Sequence, residues 1–306
     1  MKLDYKLFKK MVLPIGILSL LCFGLRIYTY WKELEIPSGF FSGNGAGCFV
    51  YNLIGFIVFF LCLMLTLRKS GSSVGSATSA APTPTAQEDD SLLMQEENLY
   101  AEEQDFPQYF LQGFAKKCAI WYGTFSAFAA LLPGFALICH ALSYVVNEDF
   151  SDPYNKIYLL LSAASGAFFL YYAIRNSCER SRFLAFFSLV PSFWCTFRMI
   201  VEYRDLTHFI NKSLYVGQFL FIISAMVFLL HQAQILLGED NLSRPNGYVF
   251  SGLSTVFFGL TARLPHLIAI MGERINTDLF TSTALLADLA LTLFVASKLK
   301  VTAKRK

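Results

Sequence analysis

The sequence predicts an all-α integral membrane protein, a bundle of about eight transmembrane helices with both termini in the cytoplasm, and three observations carry that expectation. Of its 306 residues 55% are hydrophobic and only 15% are charged, well below the roughly 25% charged residues of soluble domains. The polar residues gather in short gaps between apolar runs of about 20 residues, the length that crosses a hydrocarbon core of roughly 30 Å at 1.5 Å per residue. The ionisable residues inside those runs, Arg26, Arg198, Arg263 and Asp288 above all, cost enough in hydrocarbon to require partners.

The spans follow in order. The first, about 11–31, has a long apolar stretch ending in LRIYTYW instead of a small-residue cleavage site, so it reads as a retained anchor and not a signal peptide. The second, about 47–67, follows the glycine-rich stretch GFFSGNGAG at 39–47, read as a flexible re-entry turn. Beyond a long linker come spans at about 118–145, 155–174, 183–203, 213–237, 248–271 and 278–297. The sixth closes on His231, Gln232 and Gln234, an interfacial polar cap in the simplest reading. The chain therefore divides into 1–69 with the first two spans, a linker at 70–115, and 116–306 with six further spans.

Basic residues set the orientation. Lys2, Lys6, Lys9 and Lys10 precede the first span, Arg68, Lys69, Lys116 and Lys117 flank the linker, Arg175, Arg180 and Arg182 fill the fourth loop, and Lys298, Lys300, Lys304, Arg305 and Lys306 close the chain. The alternate loops hold only Lys32, Lys156, Arg204, Lys212 and Arg274. The positive-inside rule then places both termini in the cytoplasm of a cell membrane, plasma or bacterial inner, and an even number of spans agrees. The net charge of +3 is spread over several segments instead of one face, which excludes a nucleic-acid-binding reading and leaves membrane lipids as the partners of the flanking lysines. Trp31, Tyr28, Tyr30, Trp121, Tyr122, Tyr144, Tyr171, Tyr172 and Tyr203 sit at span ends, as an aromatic belt does.

The linker changes character along its length. Residues 70–87 are Ser, Gly, Ala, Thr and Pro, a flexible tether. Residues 88–105 carry Glu88, Asp89, Asp90, Glu96, Glu97, Glu102, Glu103 and Asp105 with no base, interleaved with Leu92, Leu93, Met94, Leu99 and Tyr100. That segment is either a solvated acidic linker or a surface helix that engages a cytoplasmic protein.

Several chemistries are excluded. The seven cysteines have no CxxC or other ligand spacing, and His140, His208, His231 and His266 lie on different helices or loops, so neither a disulfide framework nor a metal site is expected. There is no GxSxG, HExxH, intramembrane aspartyl pair or phosphate-binding glycine loop, so the chain is expected to be no enzyme and to carry no cofactor.

Helical spacing groups the buried charges. Leu184, Ser188, Pro191, Cys195, Arg198 and Glu202 fall at steps of three and four and form one stripe; Gly252, Thr255, Gly259, Arg263 and His266 form a second; Thr281, Ala284, Asp288 and Thr292 form a third. Small and hydroxylated residues on these stripes mark faces where membrane helices meet each other. Counted from span centres at 1.5 Å per residue, Asp288 lies near the midplane and Arg26, Arg198 and Arg263 roughly 6–8 Å outward, as one site requires. Glu202, His140, His266 and Gln218 fall further out on that side. The candidate binding or structural cluster is Arg26, Arg198, Glu202, Arg263, His266 and Asp288. Its excess positive charge favours a small anionic solute, with Arg198 and Arg263 as donors and Asp288 as counter-ion or proton carrier. The rival reading is structural, with Arg198 and Glu202 an intrahelical pair and Arg26 reaching along its own length to the headgroups.

The stretches LRIYTYWKELEIPSGFFSG, VPSFWCTFRMIVEY and LLGEDNLSRPNGYVFSGL resemble those of uncharacterised multi-span membrane proteins of bacteria. The resemblance covers most of the chain apart from the linker and implies a membrane bundle, with no activity and no site residues. Two functional readings follow from the residues: a transporter-like or solute-binding protein using the charged cluster, and a non-catalytic membrane subunit, sensor or adaptor whose acidic linker binds a partner. An intramembrane enzyme ranks behind both.

Overall fold

The computed structural model describes residues 5–32, 46–67, 108–147, 153–174, 182–206, 213–237, 245–272 and 279–304. Helix is the only regular secondary structure among the described residues. The helices are α1 (Tyr5–Lys32), α2 (Ala46–Leu67), α3 (Gln108–Asn147), α4 (Pro153–Ile174), α5 (Arg182–Phe187), α6 (Val190–Leu206), α7 (Ser213–Leu237), α8 (Pro245–Phe258), α9 (Leu264–Met271) and α10 (Leu279–Lys304), with a π turn, Gly259–Arg263, joining α8 to α9. The glycine-rich stretch at 39–47 lies mostly outside the described residues, and the linker segment at 88–105 entirely so.

Among the described residues seven segments are long and apolar enough to cross a membrane: Val12–Lys32, Phe125–Ser143, Pro153–Ile174, Phe183–Arg204, Val216–Leu237, Gly247–Met271 and Thr281–Leu299. The protein is therefore a polytopic helical membrane protein. Its lipid-like exterior agrees, since Leu13, Leu20, Leu160, Ile174, Phe183, Phe186 and Met271 all stand exposed; water would penalise such a surface, whereas hydrocarbon does not. The remaining expected span is helical as well, with a shorter apolar stretch, Val50–Leu61, inside α2.

The chain forms two compact units, residues 1–69 with 125–306 and residues 70–124. In the first unit the span through the π turn and the span of α10 each bury 61% of their apolar window, against 28% for α1. Those two spans are thus the centre, and α1 is peripheral. The centre is closed by α8 packing on α7, α2 and α10, and by α4 and α7 packing on α6. Glycines make the tightest crossings. A Cβ on Gly134 of α3 would stand 2.8 Å from Leu170, and one on Gly166 of α4 would meet the Gly134 carbonyl at 3.0 Å. Small residues let membrane helices approach this closely, so that dispersion replaces the missing hydrophobic drive.

Two prolines shape the walls of the site. Pro191 has no N–H to offer the preceding turn, and the fifth span breaks at residues 188–189 into α5 and α6. Pro265 likewise cannot donate to the carbonyl of Thr261. There the helix widens, and Leu264 N–H reaches back five residues to Gly259 O.

Candidate functional site

The widened turn ends on Arg263, and its first residue lies against α10. A Cβ on Gly259 would stand 2.1 Å from Thr292 Oγ1, so this glycine sets how near the π turn comes to α10. Thr292 in turn donates to the Asp288 carbonyl at 2.8 Å. The close approach places Arg263 beside the Asp288 carboxylate, with Nη2 2.6 Å from Oδ2.

Asp288 is fully buried and takes a second arginine from α6. Arg198 donates Nη1 to Oδ1 and Nη2 to Oδ2, the latter at 2.8 Å, and its Nε donates to Glu202 Oε1 at 2.7 Å. Every nitrogen of Arg198 is therefore engaged, and its guanidinium also lies 5.3 Å from the Trp194 ring centre. Arg263 is placed differently. It is 6% exposed, its Nε has no hydrogen-bond partner, and Nη2 meets Asp288 without hydrogen-bonding alignment, so that contact is ionic. Its next carboxylate, Glu202 Oε1, is 4.0 Å away, and Glu202 Oε2 is buried without a hydrogen bond.

Arg198, Glu202, Arg263 and Asp288 thus converge as the stripes predict, two cations against two carboxylates. Arg26 and His266 form an adjoining group. Arg26 is 1% exposed and lies over the rings of Tyr51, at 4.5 Å, and Tyr30, at 5.2 Å. It does not reach for headgroups; two aromatic faces hold it inside, because their negative quadrupoles attract a desolvated cation. Tyr30 connects the groups, its hydroxyl 3.1 Å from His266 Nδ1, and the Tyr51 hydroxyl lies 3.4 Å from Thr261 Oγ1 in the π turn. Gly217 leaves room for that hydroxyl, which a Cβ would meet at 2.7 Å.

His140 also enters this region. It is 1% exposed, with Nδ1 3.1 Å from Thr283 Oγ1 and Nε2 2.9 Å from the Tyr158 hydroxyl. Tyr158 is in electrostatic range of Arg198, Glu202 and Asp288. Sequence reasoning placed His140 at this depth without a partner. The signal for Tyr158 was only its place one turn into the fourth span.

A second polar group lies on the C-terminal half of α10 and was missed. Lys298 reads in the sequence as the first residue of the basic tail, yet it is 7% exposed, donates to Ser126 Oγ at 2.7 Å and lies 4.5 Å from the centre of the Tyr172 ring. Gln232, expected in an interfacial cap, is also buried, accepting from the Tyr248 hydroxyl at 3.0 Å and reaching Tyr172 at 3.5 Å. His231 and Gln234 do pair near the surface, at 3.1 Å. The aromatic belt needs the same correction: Tyr30 and Tyr172 are core residues, while Tyr28, Trp31 and Tyr203 are exposed as a belt requires.

No group of three or more His, Cys, Asp or Glu side chains that could hold a metal ion occurs among the described residues. Fold and site together define a polytopic helical membrane protein with an internal arginine–carboxylate network. No family model matches the chain, and no curated protein or solved structure matches it.

Proposed function

We propose that the chain is a transporter-like protein of a cell membrane, with eight spans and both termini in the cytoplasm, whose charge network receives a small anionic solute. Arg263 is the observation that carries this reading. A buried guanidinium with an unengaged N–H loses free energy unless an acceptor arrives, and Arg263 Nε is buried without one. A carboxylate or phosphate oxygen is the matching acceptor. Arg198, fully engaged by Asp288 and Glu202, is the fixed partner that keeps Asp288 in place while the anion displaces it from Arg263. The π turn supports the assignment, because such turns recur at functional sites and place a side chain off the ordinary helical register.

The eighth span is α2. Its 22 residues rise about 33 Å at 1.5 Å each, and reporter fusions in each loop test both the count and the orientation. The functional test is uptake into proteoliposomes of a panel of small carboxylates, phosphate and sulfate. Saturable uptake of one class, abolished by Arg263→Gln and retained on removal of residues 70–110, is the expected result. Absence of both binding and uptake for the whole panel removes the reading and leaves the adaptor, whose partner the same deletion would release.

A further inference from the structure

We propose that the solute received by the charge network is a small α-amino acid, its carboxylate taken by Arg263 and its ammonium by Glu202. This deepens the transporter reading and rests on it, narrowing the solute to one whose anionic group comes with a cation of its own.

The network offers both an unused donor and an unused acceptor. Arg263 Nε is buried and donates to no atom among the described residues. Glu202 commits Oε1 to Arg198 Nε at 2.7 Å, whereas its Oε2 is buried and accepts from none of them. The two side chains do not satisfy each other, because Arg263 Nη2 and Glu202 Oε1 are 4.0 Å apart, beyond hydrogen-bond length. A buried donor and a buried acceptor each cost free energy while unpaired. An acceptor-only ligand such as sulfate pairs the first alone; a ligand with both an acceptor oxygen and an N–H pairs the two together. Guanidinium and carboxylate are rigid and planar, so the 4.0 Å approach holds Nε and Oε2 within about 9 Å of each other. Two hydrogen bonds of about 2.9 Å, with a carboxylate oxygen and an ammonium on the neighbouring carbon between them, cover such a span.

Charge selects the ammonium. The network sets two arginines against two carboxylates. A net anion adds an uncompensated charge to that balance, which is costly where water is excluded, whereas a zwitterion adds none. An ammonium on Glu202 pairs charge with charge as well as hydrogen with oxygen; a hydroxyl brings the hydrogen alone. Glu202 is also placed to be met first. It lies one turn before the end of α6 at Leu206, and its side chain is 19% exposed against 7% or less for Arg198, Arg263 and Asp288.

The test titrates the purified protein in nanodiscs, by calorimetry, with alanine, lactate and propionate, which carry an ammonium, a hydroxyl and a hydrogen on the same carbon. Glutamate, 2-hydroxyglutarate and glutarate repeat the series with a longer side chain. In at least one series the amino acid is expected to bind about tenfold or more tightly than both counterparts, the scale of one charge-assisted hydrogen bond. Glu202→Gln keeps an oxygen that accepts from Arg198 and sets an amide NH2 where the ammonium binds, so it is expected to remove that preference, which a merely structural role for Glu202 would leave in place. Equal affinities across both wild-type series, or no binding in either, overturn the inference whether or not the variant folds, as does a preference that survives in folded Glu202→Gln. Carboxylates, phosphate or sulfate taken up without regard to an amine leave the transporter reading standing and remove the amino acid. An amino acid bound with the expected preference but not moved into proteoliposomes does the reverse.

Discussion

Asp288 and Lys298 stand ten residues apart on α10, about 15 Å along its axis, and both are withdrawn from the surface. Around Asp288 charge is met by charge: two arginines from two other segments share one carboxylate. Lys298 has among its contacts a serine hydroxyl and the faces of Tyr172 and Phe294. A buried carboxylate has a short reach and demands cations at fixed positions, so its helix must be held in one register. An ammonium on a four-carbon stem is satisfied by softer partners and tolerates more freedom. The comparison teaches that the two charges on α10 impose different constraints, and that the rigid one coincides with the π turn.

Removing Asp288 breaks the rigid end most directly. Asp288→Ala leaves two buried guanidinium groups facing each other, and a loss of about 3–5 kcal/mol is expected, read as loss of a monodisperse peak or a large fall in the melting temperature in detergent. Asp288→Asn keeps the volume and a neutral acceptor for the two guanidinium groups, so a smaller loss than that of Asp288→Ala is expected in the same melting measurement.

The register itself is tested at Gly259. Gly259→Ala drives a Cβ into Thr292 and is expected to destabilise by about 1–3 kcal/mol, with partial recovery in the Gly259→Ala, Thr292→Ala double variant. Full recovery is not expected, since the Thr292 Cβ itself lies 2.9 Å from the added atom.

At the softer end, Lys298→Met retains the apolar stem. A change of only about 1 kcal/mol is expected, the scale of a cation–π contact with a hydrogen bond. A loss as large as that of Asp288→Ala would show the two ends to be alike. The smallest effect belongs to Tyr51→Phe, which gives up the long contact with Thr261 but keeps the ring under Arg26; under about 1 kcal/mol is expected, whereas Tyr51→Leu removes the aromatic face and is expected to cost more.

Much of the site was legible as stripes. Ser188, Cys195 and Arg198 on the fifth span and Thr255, Gly259 and Arg263 on the seventh are all buried, although the fifth span breaks at Ser188 and the seventh widens at Gly259. Periodicity states which side of a helix faces its neighbours, because side chains three and four apart share a face. It does not state which helix stands opposite. Arg26 was therefore grouped by depth with Arg198 and Arg263, whereas the fold sets it between two tyrosines. Gln232 and Lys298 were assigned to span ends by position along the chain, yet both turn into the core, where Tyr172 approaches each of them.

The sequence by itself determined that the chain is a helical membrane protein and that its intramembrane charges point inward, since hydrocarbon allows few other places for them. Only the tertiary structure decided the pairing. Pro265 breaks the helical ladder, the π turn it accompanies carries Arg263 into place, and Gly259 admits Thr292 so that Asp288 comes within reach of Arg263 and Arg198 together. Such contacts arise from segments far apart in the chain, and close packing, not local propensity, selects among them.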